Sequence, residues 1–144
     1  MDFRLTEQQE MLRKSARDFL STEYPKSLVR EIEASDLGYS PELWKKMATL
    51  GWMGLALPED YGGAGLNLLD LAVLCEEFGR AAVQGPMFST IALGALPVLE
   101  FGTDAQKKSL LPQVASGEAQ LTLAVAEPGV NEDPSFVATN AIAQ

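Results

Sequence analysis

The chain has 144 residues, 47% apolar and 22% charged, enough for one packed core and too apolar for a disordered segment. Eleven Lys and Arg face twenty Asp and Glu, a net charge of −9, which argues against a nucleic-acid backbone or an anionic membrane as partner. With no histidine and a single cysteine, Ser-His-Asp and Cys-His nucleophile arrangements, His-based metal sites and an internal disulfide are excluded within this chain.

The opening stretch "MDFRLTEQQE" has no basic segment followed by an apolar one, and no apolar run approaches the roughly 20 residues of a bilayer span. A soluble, cytoplasmic protein is therefore expected. Thr6 and Gln9 have capping-box spacing ahead of a first helix, whose Leu12, Ala16, Phe19 and Leu20 share one face. "EYPKSLVREIEAS" predicts a second helix, with Pro25 near its start and Leu28, Val29 and Ile32 inward. Ser40-Pro41 starts a third: a side-chain cap, then a residue whose missing N–H costs nothing there. Leu43, Trp44, Met47 and Leu50 form its expected buried stripe, and Gly51 can stop it in a left-handed conformation.

"LPEDYGGAGL", residues 57–66, comes next. A phosphate-binding loop of the Walker type ends in Gly-Lys-Ser/Thr, whereas Gly65 is followed by Leu66 and Asn67, and Glu59 and Asp60 would repel phosphate. The dinucleotide fingerprint needs a preceding strand and a third glycine. These glycines are expected instead to permit a sharp turn between helices.

Asn67 can cap "LLDLAVLCEEF", which is apolar on most sides and so expected to be buried on most sides. Cys75 reads as a small core residue, since no base is available to activate it. Glu76-Glu77 reads as a solvated helix end rather than an acid/base pair, and Trp44 and Trp52 as core or interface. Pro86 opens "MFSTIALGALPVLEF", which Gly94 and Pro97 should bend or break. Thr103 and Gln106 repeat the capping-box spacing before a helix that ends at Gly117, with Lys107-Lys108 on its solvated face. From there the period changes to two. Leu121, Leu123 and Val125 alternate with Thr122, Ala124 and Ala126 up to Glu127-Pro128-Gly129, and "SFVATNAIAQ" alternates again. The expected fold is mainly α: about six helices over residues 1–118, then the first strands of a truncated β-domain over 119–144. Two strands alone are not a stable sheet.

The succession "TEQQEMLRKSARDFL", "LWKKMATLGWMGLALPEDYGGAGL", "FGTDAQKKSLLPQVASGE" and a strand ending "AEPG" resembles the acyl-CoA dehydrogenase family. The resemblance covers the family's amino-terminal helical domain and the start of its middle β-domain. It implies an FAD-dependent enzyme that converts an acyl-CoA to the 2,3-enoyl thioester: a carboxylate removes the α-proton while hydride passes from the β-carbon to the flavin. Electrons then leave to an electron-transfer flavoprotein. A homo- or hetero-oligomer is implied, and no catalytic residue falls within this chain, because the family's glutamate base lies in the carboxy-terminal domain.

The same resemblance places Leu123, Val125, Ala126, Asn131 and Glu132 along the flavin, and Phe88, Ser89, Thr90, Leu93 and Gly94 at the floor of the acyl pocket. Backbone contacts carry over at Val125 and Ala126, since any residue supplies an N–H. Side-chain contacts do not. Where the family commonly has Thr before Glu-Pro, this chain has Ala126, and where it commonly has Gly-Ser-Asp, this chain has Asn131-Glu132-Asp133. One lost hydrogen bond costs on the order of 1 kcal/mol; a carboxylate near the flavin pyrophosphate costs ~1–4 kcal/mol. Three readings stay open: a flavin-dependent dehydrogenase, an FAD-deficient subunit of a heteromeric enzyme, and a helical interaction module. For the apolar helix, ordinary helix packing competes with a ligand pocket.

Overall fold

The computed structural model describes residues 4–125, together with 127, 138–140 and 142. Its helices are α1 (Glu7–Glu23), α2 (Lys26–Glu33), α3 (Pro41–Thr49), α4 (Leu68–Ala81), α5 (Leu96–Phe101) and α6 (Asp104–Ala115). A 3₁₀ turn (Glu59–Tyr61) precedes α4, and a π-helical segment (Ser89–Ala95) runs directly into α5.

The helix starts obey local chemistry. Thr6 and Gln9 at α1, and Thr103 and Gln106 at α6, exchange side-chain bonds with each other's backbone, as their spacing predicts. Ser40 caps α3 with Pro41 in its first turn. Asn67 caps α4 as expected, and Asp70 completes a box by accepting from the Asn67 N–H at 2.9 Å. The ends of α3 and α6 are paired left-handed stops. Gly51 (φ +77°) and Gly117 (φ +79°) turn the chain so that Trp52 N–H reaches the Met47 carbonyl and Glu118 N–H that of Gln113. Ala82 ends α4 the same way at φ +55°, without the glycine this conformation favours.

The main packing axis is the pair α1 and α4, which run parallel. Gln9 Nε2 donates to Asp70 Oδ1 at 3.0 Å at one end, so the two amino-terminal boxes are joined to each other. In the middle, Arg17 meets Glu77 through two bonds, of 3.0 and 2.5 Å. At the far end the Tyr24 hydroxyl donates to Gln84 Oε1 (3.2 Å) and accepts from the Gln84 N–H (2.9 Å). Leu20, Leu74, Phe78 and Trp52 fill the space between these polar rungs. Trp52 contacts the rings of Phe19 and Phe78, with centroids 5.1 and 5.5 Å away. A second core, of Leu57, Ala95, Leu111, Val114 and Ala115, lies where α6 meets the 3₁₀ turn and the π-helical segment. Trp44 ties α3 to the end of α6, its Nε1–H donating to the Gly117 carbonyl at 2.8 Å. Both tryptophans are buried, as the sequence suggested.

Four expectations need correction. Leu50 does not complete the buried stripe of α3; it is 47% exposed, because the chain turns away at Gly51. The first turns of α4 are open on one side, with Leu68, Leu69 and Ala72 exposed. Of the bend or break expected at Gly94 and Pro97, the break does not occur. The helix widens instead, Leu96 N–H bonding five residues back to Ile91, which eases the clash of the proline ring with the carbonyl a normal turn would place against it.

The fourth concerns Glu77, which is no solvated helix end: it is fully buried. Arg17 and Arg80 (Nε to Oε2, 2.8 Å) enclose its carboxylate. Hydrogen bonds from Arg17 above all, opposed by burial and assisted by Arg80, lower its pKa from 4.5 to about 2. A carboxyl whose folded pKa is depressed stabilises the fold above its unfolded pKa, and that contribution disappears as pH falls from about 4.5 toward 2. The depression corresponds to roughly 3 kcal/mol, reduced to about 2 because half-exposed arginine side chains are screened by solvent. Glu77→Gln should therefore lower the urea-unfolding free energy by about 2 kcal/mol at pH 7. The loss should shrink toward zero at pH 2, so paired denaturation curves at the two pH values check it.

Candidate functional site

Three features competed for chemistry: the glycine loop, the apolar helix after Pro86, and the segment after Gly117. The loop is settled by its amides. Gly62 N–H bonds Glu59 O, Gly63 bonds Pro58, Ala64 bonds Gly54, Gly65 bonds Leu57 and Leu66 bonds Leu55, all at 2.8–3.1 Å. No N–H in this run is left to cradle a phosphate. Gly63 is required by space: a Cβ there would lie 2.0 Å from the Leu57 carbonyl oxygen and 2.7 Å from that of Gly54. The loop is a folded-back bend that supports the second core.

The apolar helix has two faces. Phe88 (60% exposed) and Leu93 (38%) point outward, and Ser89 is half-buried with its hydroxyl donating to the Pro86 carbonyl at 3.0 Å. Thr90 and Gly94, four residues apart, are buried on the opposite face. There they meet Leu121. Thr90 Oγ1 accepts the Leu121 N–H at 3.3 Å, and a Cβ on Gly94 would lie 2.3 Å from the Leu121 Cβ. Beside Phe88, an apolar cavity of ≈210 Å³ is lined by Cys75, Phe78, Gly79, Val83 and Met87. Burial pushes the Cys75 thiol up, away from the reactive thiolate.

Beyond Leu121, residues 122–125 are in neither helix nor strand and are exposed, Leu123 at 47% and Val125 at 44%. Among the described residues there is no strand, and a strand needs a second one to pair with. Of the residues expected along a flavin, Leu123 and Val125 lie in this stretch, whereas Ala126, Asn131 and Glu132 lie outside the described residues, as does most of the second expected strand. The Glu127 carboxylate accepts from the Ala138 and Thr139 amides at 2.9 and 2.8 Å and from the Thr139 hydroxyl. Those bonds, the Thr139 hydroxyl's first, hold its pKa below the usual carboxylate value. Sequence reasoning did not find the seat of Leu121. Its only trace was a Thr and a Gly one turn apart on an otherwise apolar helix.

Among the described residues no cluster of His, Cys, Asp or Glu is suited to a metal, and no helix is long and apolar enough to cross a membrane.

The family model described as "Acyl-CoA dehydrogenase, N-terminal domain" matches residues 6–118. The chain belongs to the acyl-CoA dehydrogenase family. The caffeyl-CoA reductase-Etf complex subunit CarC of Acetobacterium woodii is 32% identical over 139 residues, covering 95% of this chain and 36% of the relative. Among solved structures, a variant of the Tcur3481-Tcur3483 steroid ACAD is 39% identical with a TM-score of 0.78, over 86% of this chain and 34% of that one. The Bacillus anthracis acyl-CoA dehydrogenase complexed with FAD is 31% identical with a TM-score of 0.82, over 93% and 23%. The chain spans roughly a third or less of the length of the curated relatives it matches.

Because Gly63 has carbonyl oxygens where a side chain would go, Gly63→Ala should destabilise the chain by about 3 kcal/mol or more. Gly65→Ala, at φ +65° with only the flexible Glu59 side chain nearby, should cost about 1 kcal/mol. Thermal unfolding of the two variants checks the order.

Proposed function

We propose that this chain is the amino-terminal part of a flavin-dependent acyl-CoA dehydrogenase, which oxidises an acyl-CoA to the 2,3-enoyl-CoA. One observation carries the reading: the helix with an outward apolar face and the segment with an open backbone meet at Leu121. In this reading residues 1–118 are the helical domain and 119–144 open the β-domain. Phe88, Ser89 and Leu93 present the acyl-facing surface, and Thr90 and Gly94 set the floor beneath it. An apolar floor that excludes water suits a thioester whose α-carbon must lose a proton.

The described residues fit a flavin on one count. Residues 122–125 are exposed and make no hydrogen bond to another described residue, which would let their N–H and C=O groups pair with the polar rim of a planar ring system. Leu123, Val125 and Ala126 would border the ring through their backbone, and Asn131 and Glu132 would lie nearer the pyrophosphate. Bound FAD supplies the two-electron acceptor, and the protein supplies orientation. The FAD complex of the B. anthracis relative supports this assignment. No residue here is assigned as the base that takes the α-proton; it belongs to the part of the family that this chain does not span.

An electron-transfer flavoprotein is the proposed redox partner, supported by the Etf complex named for the A. woodii relative. We place the protein in the cytoplasm as an oligomer. A second reading is favoured by Ala126, which lacks the hydroxyl the family offers the flavin, and by Glu132: the chain belongs to an FAD-deficient subunit paired with a flavin-holding one. The double name of the steroid enzyme, Tcur3481-Tcur3483, supports a paired arrangement.

Purification of the full natural polypeptide separates the two. Yellow protein with the flavin absorbance bands is expected; a colourless protein that takes up no FAD on reconstitution would leave the paired-subunit reading. Ala126→Thr should tighten FAD binding roughly five-fold, the worth of one added hydrogen bond. An unchanged dissociation constant in a flavin-quenching titration rejects the part assigned to that hydroxyl.

A further inference from the structure

The acyl-facing helix and the flavin-facing segment are joined at a built contact, and that contact has a direction. Thr90 is fully buried in the π-helical segment. Its hydroxyl oxygen is the one acceptor, among the described residues, for the Leu121 N–H. One helical turn on, Gly94 leaves the space that Leu121 occupies: a Cβ there would lie 2.3 Å from the Leu121 Cβ and 3.1 Å from its carbonyl carbon. Leu121 is thus held by a hydrogen bond on one side and a steric notch on the other. The next residues, 122–125, are exposed and make no bond to another described residue. Among contacts between described residues, Leu121 is therefore the last fixed point before 122–125, two residues before Leu123 and four before Val125.

We propose that Thr90 and Gly94 form a latch for Leu121 that sets the position of the flavin-bordering backbone, so that Thr90 is a positioning residue for the cofactor rather than a contact for substrate. The proposal rests on the functional reading above. The latch lies on the face of the helix opposite Phe88 and Leu93, so the two faces have separate duties: one is offered to a ligand, the other registers the segment beside it. Ser89 shows the contrast, since its hydroxyl is spent on the Pro86 carbonyl within its own turn, whereas that of Thr90 reaches a residue 31 positions away. A π-helical turn suits such a post, because its wider spacing changes which side chains share a face.

The test compares Thr90→Val with Thr90→Ser in the full natural polypeptide, with circular dichroism and thermal unfolding as controls for the fold. Valine keeps the shape and removes the acceptor; serine keeps the acceptor and removes a methyl, so a fault in packing alone would appear in serine too. Two readouts are taken: hydrogen exchange of the segment containing residues 121–125, and FAD affinity with the flavin absorption spectrum. Thr90→Val should speed exchange of the Leu121 amide and weaken FAD binding, each roughly five-fold, and should shift the flavin bands; Thr90→Ser should restore all three. Unchanged exchange in Thr90→Val overturns the latch whether or not flavin is present. Faster exchange with unchanged FAD affinity and spectrum overturns the positioning role. Failure of Thr90→Ser to restore them assigns the effect to packing and overturns the proposal. A wild-type protein that takes up no FAD overturns the functional reading and the flavin half of this one, and the exchange measurement still decides the latch.

Discussion

The register between α1 and α4 is the constraint on which the rest depends. Two parallel helices packed through apolar side chains alone can slide by a turn at little cost, since one leucine replaces another. Here Gln9–Asp70, Arg17–Glu77 and Tyr24–Gln84 hold the pair at both ends and in the middle. A slip by one turn would leave the Glu77 carboxylate buried without its guanidinium, the most expensive kind of error inside a protein. Parallel neighbours also need a long connection, and residues 24–67 supply it as α2, α3 and the glycine bend. The position of α4 in turn fixes where the chain emerges at Gln84 and where the next helix begins.

From that frame the site is assembled by two further ties. The indole of Trp44 anchors the end of α6 at Gly117, four residues before Leu121, and the Thr90–Leu121 bond anchors the chain as it leaves that helix. The second core of Leu57, Ala95, Leu111 and Val114 lies between these ties. The apolar helix is thus not a free-standing wall but a member clamped on its inner face, and this clamp leaves its outer face able to hold one shape.

Much of this was legible in the sequence, and the boundary of legibility has a physical cause. Helix starts were readable at Thr6, Ser40, Asn67 and Thr103, because a cap acts on amides two or three residues away. The bend at 57–66 was readable too, because its glycines lack the lysine that phosphate binding demands. What escaped was long-range. Glu77 looks solvent-bound beside Glu76 until Arg17, sixty positions earlier, folds against it. Leu68 and Leu69 look buried until the turn they occupy proves open on one side. Thr90 and Gly94 read equally as room for a ligand and as room for a neighbour, and only the arrival of Leu121 shows what the described structure puts there. The strand pattern after Gly117 records an intention to pair that needs a partner strand before it becomes a sheet. The family itself was readable from the order of several short signatures, none of them specific alone.

The widened helical turn at Ser89–Ala95 carries an evolutionary consequence. A π-helical bond, such as that from Leu96 to Ile91, spans one residue more than an ordinary helical bond, so the segment lodges additional chain within an unbroken rod. A lineage that gains or loses a single codon there can rotate everything upstream relative to everything downstream without dismantling either end. The outward face of this helix can then be re-aimed by an indel as readily as by exchange of one side chain for another, while the glycine bend, with its amides fully committed, admits no such freedom.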